Sequence, residues 1–391
     1  MLKIERDVIR RMIKGRLFFQ ANVFRDDFKR KALLCYITKP FRAGKRKHHS
    51  NAQECKAIAK EIAKLNFNVD VIDYDALTSV NYDQYDLIFG FGDVFEKGFE
   101  FEDCIRIHYQ TGSAPAFQDY AEVARCLEFE NTFKLKALPC RTVDRTWPRS
   151  LCLSDAVIVI GNRWTIDTFT NYRNNVRKIN ATVVQRDFHK KSIQELNNGR
   201  YKLLWFSGKG LIHKGFDLCV LVIQQLKDLG VELTVCCPDA EEYLQLAQCI
   251  PNFDESKINF HGYCDPNSKE FDLLAKAHTF SIFLSCSEGQ STSLLQVAAA
   301  GVIPIHNRQA GFDPIDTRLL LTSMQNDQVV ARLRSLMALD ELHLASLSQA
   351  AADRIAVEHT LRSFSETLKT HLQEVLNERA SQHSYSSLQP S

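Results

Sequence analysis

The sequence predicts two successive doubly wound α/β domains facing each other across a cleft, and three observations carry that reading. The chain has 391 residues, more than one ordinary hydrophobic core accommodates, so two domains are expected. Short apolar runs alternate with segments of helical periodicity, the pattern of a parallel sheet covered on both faces. The alternation lapses once, in a polar stretch near residue 190, and then restarts.

The elements follow in order. Residues 1–30 are basic and amphipathic, with Arg6, Arg10, Arg11, Lys14 and Arg16 set among Ile4, Val8, Ile9, Met12 and Leu17. They read as a helix that either packs on the first domain or touches an anionic membrane surface. The first domain, 31–190, begins with the buried strand "KALLCYIT". The helical "NAQECKAIAKEIAKLN" follows, with Asn51 as its N-cap, then the strands "FNVDVIDYD", "YDLIFGFG", "IRIHYQTG" and "SDAVIVIGN" and the helical "RWTIDTFTNYR". "RDFHKKSIQELNNGRY", 186–201, contains Asn-Asn-Gly and reads as a linker. The second domain, 200–355, opens on the strand "YKLLWFSG" and a helix closed by Gly230. It continues through "VELTVCC", "AEEYLQLAQCI", "KINFHGY", "SKEFDLLAKAH" and "TFSIFLSC" to a helix over 293–300 and the strand "VIPIH". A helix over 356–378 is expected to return to the first domain, and 379–391 reads as a disordered polar tail.

Composition narrows the function. With 45% apolar and 25% charged residues and a net charge of +2, the chain is a globular protein without the basic excess that nucleic acid binding requires. No apolar run approaches the ~20 residues that span a bilayer, and charges interrupt every apolar run of the N-terminus, so it is not a signal peptide. The twelve cysteines lie mostly singly in apolar contexts without CxxC spacing. They read as free thiols of a cytoplasmic protein, and no metal is expected.

The chemistry concentrates in two loops of the second domain. "SEGQST", 287–292, offers backbone N–H groups at the start of an apolar helix, an arrangement suited to phosphate. Glu288 would repel phosphate but would accept hydrogen bonds from hydroxyls. A ligand with both is a nucleotide sugar; the alternative is a carboxylate serving its own helix N-terminus. On the same helix Gln296 is a lone amide among apolar neighbours and needs a partner, backbone or ligand, if buried. "FSGKGLIHKG", 206–215, follows the first strand of the domain. Gly208 and Gly210 permit a tight turn there, and Lys209 and Lys214 could converge on a diphosphate. Neither a P-loop nor the dinucleotide fingerprint is present.

Together these loops resemble the retaining GT-B glycosyltransferases of the "group 1" class, family four. Their G-R-L-x-x-x-K-G pattern is matched in spacing by "GKGLIHKG", with Lys209 in the Arg place and Lys214 and Gly215 intact. Their E-G-x-G-x-x-x-x-E-A-x-A-x-G-x-P is matched by "EGQSTSLLQVAAAGVIP", with Ser291 in place of the second Gly, Gln296 in place of the second Glu, and Pro304 one residue late. "HGY" at 261–263 sits at the corresponding strand-then-turn. The resemblance covers 200–310; over 31–190 it is topological. It implies two Rossmann-like domains in the GT-B arrangement and transfer of a sugar with retention, without a metal. It further implies that Lys209 and Lys214 hold the donor diphosphate, Glu288 the hydroxyls of the transferred sugar and Gln296 the ribose. Gly208, Tyr263 and the backbone of Gln290, Ser291 and Thr292 complete the nucleotide-sugar contacts.

The first domain offers less. Lys39, Arg42, Lys45, Arg46, Lys47, His48 and His49 form a basic loop after the first strand, either a clamp on an anion or a solvated surface. His108, near a strand end, is a candidate catalytic residue by the family's habit and otherwise a core histidine. Asp93 and the turn 111–113 are further candidates for lining the cleft. The expected function is transfer from a nucleotide diphosphate sugar to a hydroxyl of a glycan or glycolipid, in polysaccharide or glycolipid biosynthesis. The alternative is a catalytically impaired homologue serving as partner subunit of an active transferase.

Overall fold

The computed structural model describes residues 19–42, 50–76, 79–101, 103–143, 147–173, 175–184 and 190–386. Most of the basic N-terminal segment, the cations of 43–49 and residues 387–391 lie outside them.

Two sheets form the molecule. The first contains β1 (Phe19–Gln20), β2 (Arg30–Tyr36), β3 (Phe67–Asp73), β4 (Leu87–Gly90), β5 (Ile105–Gln110), β6 (Ala156–Ile160) and β7 (Val176–Ile179). Their order is β1-β3-β2-β4-β5-β6-β7, parallel except for the edge strand β1, which runs antiparallel to β3. The second contains β8 (Lys202–Phe206), β9 (Glu232–Cys236), β10 (Ile258–Phe260), β11 (Phe280–Phe283), β12 (Ile303–Asn307) and β13 (Leu320–Leu321). Their order is β10-β9-β8-β11-β12-β13, parallel throughout. β6, "AVIVI", is buried at every residue, as a strand covered on both faces must be.

Each sheet reverses its strand order once, between β2 and β4 in the first and between β8 and β11 in the second. A crevice opens at such a reversal beyond the carboxyl ends of the strands, where ligands of these folds bind. In the second sheet the loops leaving those two ends are 207–215 and 284–291, the segments that carry Lys214 and Glu288.

Three segments depart from the sequence reading. The supposed linker holds a helix, Ile193–Asn198, set by a capping box: Ser192 Oγ accepts from the Glu195 N–H at 3.2 Å, and Glu195 Oε2 accepts from the Ser192 N–H at 2.8 Å. Between β5 and β6 runs a long helix, Pro115–Phe133, to which the sequence reading assigns no element. The final helix, Leu361–Ser386, extends through 379–386, where a disordered tail is expected. Its Phe364, Leu368 and Leu372 enter the core of the first lobe, and its Glu374 and Glu378 pair with Arg177 of β7.

Core packing ties the lobes together. Phe89, Ile107 and Ile158 of the first sheet share a cluster with Leu204, Phe283 and Leu294 of the second lobe. Cys126 and Phe129 of the helix Pro115–Phe133 lie in the second lobe's core beside Trp205 and Phe216. All twelve cysteines are free thiols. Among the described residues no helix is long and apolar enough to cross a membrane.

Candidate functional site

The loops that leave β8 and β11 bring Lys214 and Glu288 together, Nζ to Oε1 at 2.5 Å, although the two residues are 74 positions apart. Backbone geometry makes this approach possible. Gly215 has φ +71°, and a Cβ there would lie 2.3 Å from the Leu284 carbonyl oxygen, so only glycine lets the first loop press against the end of β11. The Lys214 ammonium also stands over the Phe283 ring at 5.3 Å. Both side chains are largely buried, 8% exposed for Lys214 and 12% for Glu288. Burial alone would raise the Glu288 carboxyl. The Lys214 ammonium, helped by the charges of His213 and Arg141, outweighs burial and holds it below the ordinary carboxylate range. Glu288 Oε1 also accepts from Ser285 Oγ at 3.1 Å, whereas Oε2 has no hydrogen-bond partner among the described residues.

The first lobe grips these loops. His213 Nε2 donates to the Ser287 carbonyl at 2.7 Å, while Nδ1 meets the buried carboxylate of Glu122 on the helix Pro115–Phe133. The other oxygen of Glu122 accepts from the Cys140 N–H at 2.9 Å and the Arg141 N–H at 3.1 Å. Burial raises the Glu122 carboxyl, but His213 and these two N–H groups prevail and hold it below the usual range. One turn further along, Arg125 pairs with Asp217, both buried. Ser113 Oγ bonds to Ser287 Oγ, and Thr165 Oγ1 donates to the Gly289 carbonyl at 3.2 Å. A Cβ at Gly289 would lie 2.3 Å from the Thr111 carbonyl oxygen, so glycine is required where the two lobes touch. The turn 111–113 does line the contact between the lobes.

Lys209 does not join Lys214. It is 73% exposed, with Asp239 at 4.0 Å. Space around Gly208 is open, since a Cβ there would meet nothing within 4 Å. The second cation of the site comes instead from the first lobe. Arg141 lies over Gly210, where a Cβ would meet its Cγ at 3.1 Å and its Cδ at 3.2 Å, and its charge bears on Glu288. Its guanidinium has no protein partner among the described residues, and its backbone is fixed by Glu122 and by Gln118, which donates to the Arg141 carbonyl at 2.6 Å. Sequence reasoning missed Glu122, Arg125 and Arg141. Their roles arise from contacts across the lobes, and no motif marks them.

Gln296 lies on the helix Thr292–Ala299, 4% exposed, and its Nε2 has no hydrogen-bond partner among the described residues. A buried amide nitrogen left unpaired costs stability, so a partner that reached it would be held favourably. Gln290 and Ser291 are otherwise engaged. Gln290 Oε1 accepts from the Ala181 N–H at 2.6 Å and its Nε2 donates to Asn180 at 3.1 Å. The Ser291 N–H donates to the Ala310 carbonyl at 3.0 Å, and Ser291 Oγ caps the helix by accepting from the Leu294 N–H at 3.4 Å. These bonds hold the loop in shape and occupy the Gln290 side chain and the Ser291 N–H. Thr292 begins the helix, and Tyr263, beyond β10, is 68% exposed.

His108 is a core residue. It is fully buried in β5, its Nε2 meets Gln110 Oε1 at 3.0 Å, and its ring lies edge-on to Phe95 at 5.6 Å. Burial lowers its pKa to about 4 and keeps it neutral, and its Nδ1 has no hydrogen-bond partner among the described residues. Asp93 is likewise held inside, accepting from Trp147 Nε1 at 3.3 Å. Glu122, His213 and Cys286 place ligand-type atoms within 4.8 Å of one another. Hydrogen bonds already engage all three, His213 Nδ1 meeting the Glu122 carboxylate and, at 3.3 Å, the Cys286 thiol. Burial, with the charges of Glu122 and Glu288, raises the Cys286 thiol and disfavours the thiolate a metal would need.

No protein-family model matches the chain, and no curated protein matches it in sequence. Solved structures do match. A mutant of S. aureus TarM in complex with fondaparinux, α-GlcNAc-glycerol and UDP matches 72% of this chain at 13% identity, with a TM-score of 0.51. The match spans only 55% of TarM's own length. Sucrose-phosphate synthase from Thermosynechococcus elongatus matches over 90% of this chain and 100% of its own, at 12% identity and a TM-score of 0.61. Anabaena HepE in complex with UDP-glucose matches over 88% and 99%, at 11% identity and a TM-score of 0.57. Likeness at such identities concerns architecture alone. This chain has the GT-B fold, two Rossmann-like domains across a cleft.

Proposed function

We propose that this protein is a glycosyltransferase that moves a sugar from a nucleotide diphosphate sugar to a hydroxyl acceptor with retention of configuration. The observation that carries the reading is the Lys214–Glu288 pair, buried at the strand-order reversal of the second sheet. A cation beside a carboxylate with one open oxygen suits a ligand that presents a phosphate and sugar hydroxyls side by side. Glu288 Oε2 accepts from hydroxyls of the donor sugar, and Lys214 neutralises the departing diphosphate. Arg141 supplies from the first lobe the second positive charge that Lys209 does not. Gln296 Nε2 donates to a ribose hydroxyl. The bond from the anomeric carbon to the diphosphate oxygen breaks, and its electron pair leaves with the diphosphate. The acceptor oxygen bonds to the same carbon from the same face, and its proton passes to the diphosphate. The contact between the lobes keeps water from the reacting centre.

The fold supports this reading, and UDP, bound in the TarM structure, is the first nucleotide to try. Acceptors of glycan or glycolipid type, a cytoplasmic location and membrane contact through residues 1–30 belong to the same proposal, as does chemistry without a metal. The test is transfer or hydrolysis of a panel of nucleotide sugars. One donor should turn over, and Glu288→Ala and Lys214→Ala should each slow it by at least about tenfold. If both variants match the parent, the site is wrongly assigned.

A further inference from the structure

On the first lobe a cavity of about 420 Å³ opens between the start of the helix Pro115–Phe133 and the segment that follows β6. Four aromatic rings line it: Phe117, Tyr120, Trp164 and Tyr172. Phe117 meets Trp164 edge-on at 5.1 Å, which fixes the indole against rotation. Tyr120 is 72% exposed, an unusual position for so large a ring. Asp167 and Asn171 stand at the same wall. Arg163 holds one oxygen of Asp167 at 2.9 Å, and both acidic and amide side chains face solvent.

We propose that this groove binds a carbohydrate chain, as a docking subsite for an oligosaccharide acceptor. A pyranose ring has an apolar face of C–H groups, which packs on an aromatic ring, and a hydroxyl edge, which needs donors and acceptors. Rings flanked by a carboxylate and an amide match both surfaces. An alkyl chain in the same place would strip water from Asp167 and Asn171 without offering them partners. The groove also lies beside the site. Phe117 follows Ser113, which bonds to Ser287, and Trp164 precedes Thr165, which donates to the Gly289 carbonyl. The elements that carry the rings are thus the ones that contact the loop holding Glu288. The role as an acceptor subsite rests on the transferase reading; the binding of sugar does not.

The probes are maltohexaose, cellohexaose, chitohexaose and xylohexaose, titrated into the full-length protein and followed by tryptophan fluorescence and ligand-observed NMR. At least one should bind at millimolar concentration or below, and Trp164→Ala should weaken it by about tenfold or more. Tyr120→Ala, at an exposed position that folding does not need, should weaken the same probe, while the affinity for UDP stays within about twofold in both variants. The proposal is overturned if no hexasaccharide binds, if binding survives both substitutions, or if decanoate and not sugar is the ligand that Trp164→Ala loses. Sugar binding that depends on Trp164, in a protein that binds no nucleotide diphosphate, would sustain the groove and defeat the transferase reading.

Discussion

Each sheet reverses its strand order once, yet the two crevices differ in the charged groups they gather. At the reversal between β2 and β4, Asp73 accepts from the Thr38 N–H at 2.7 Å and from Thr38 Oγ1 at 3.1 Å. Asp93 accepts from Trp147, and Phe91 packs against Tyr36 at 5.4 Å and Tyr74 at 4.8 Å. At the reversal between β8 and β11, Lys214 and Glu288 pair while, among the described residues, Glu288 Oε2, Gln296 Nε2 and the Arg141 guanidinium have no hydrogen-bond partner. Topology supplies both crevices. Chemistry is expected at the second, where a buried ammonium and carboxylate meet at the ends of its strands.

The largest effect should come from breaking the support of the second crevice. Arg125→Ala leaves the carboxylate of Asp217, 1% exposed, uncompensated inside the protein. It should cost ~3–5 kcal/mol in urea unfolding, against the small change of an ordinary surface substitution.

Acid should act in the same direction. His108, His278, His306 and His359 are pushed by burial from 6.5 to about 4, so the unfolded chain takes up protons first. Their contribution is complete above 6.5 and is lost as pH falls toward 4. Glu288 and Glu122, held below 4.5, add a loss of the same sign as pH falls through their lowered values. Asp217 and Glu54, raised by burial, oppose it. The urea midpoint should fall steadily as pH drops from neutrality; a flat profile would contradict this assignment.

Within the crevice, Glu288→Ala and Lys214→Ala should each slow turnover by at least about tenfold, or ~1.4 kcal/mol. Gln296→Glu should tighten nucleotide binding severalfold in calorimetry, because a carboxylate makes a stronger, charge-assisted bond to a ribose hydroxyl. At the first crevice Asp93→Asn keeps the acceptor for Trp147 and should leave turnover within about twofold of the parent. A large loss there would erase the contrast between the two crevices.

The architecture was legible because parallel strands buried on both faces announce themselves as continuous apolar runs, as in β6. That Lys214 and Glu288 lie on neighbouring loops followed from the motif spacing shared with the resembled family, and the structure brings the two side chains together. The choice for His108 between cleft and core was not legible, because its place near a strand end says nothing of which face its side chain takes. The two-residue alternation of β5 turns it onto Phe95. Ser192 and Glu195 did carry a capping-box signal within the apparent linker, and the Asn-Asn-Gly after it masked a short helix. Glu122 and Arg141 were illegible, since their meaning lies in His213 and Glu288, brought near only by the packing of one lobe on the other.

The central claim is that Lys214 and Glu288 together hold the diphosphate and sugar of one activated donor. Calorimetric titration of the parent and of Lys214→Ala with UDP, GDP, ADP and TDP tests it most directly. The account predicts that one of these binds the parent and loses at least about tenfold in affinity in the variant. Equal binding to both proteins, or binding of none of them to the parent, would contradict it.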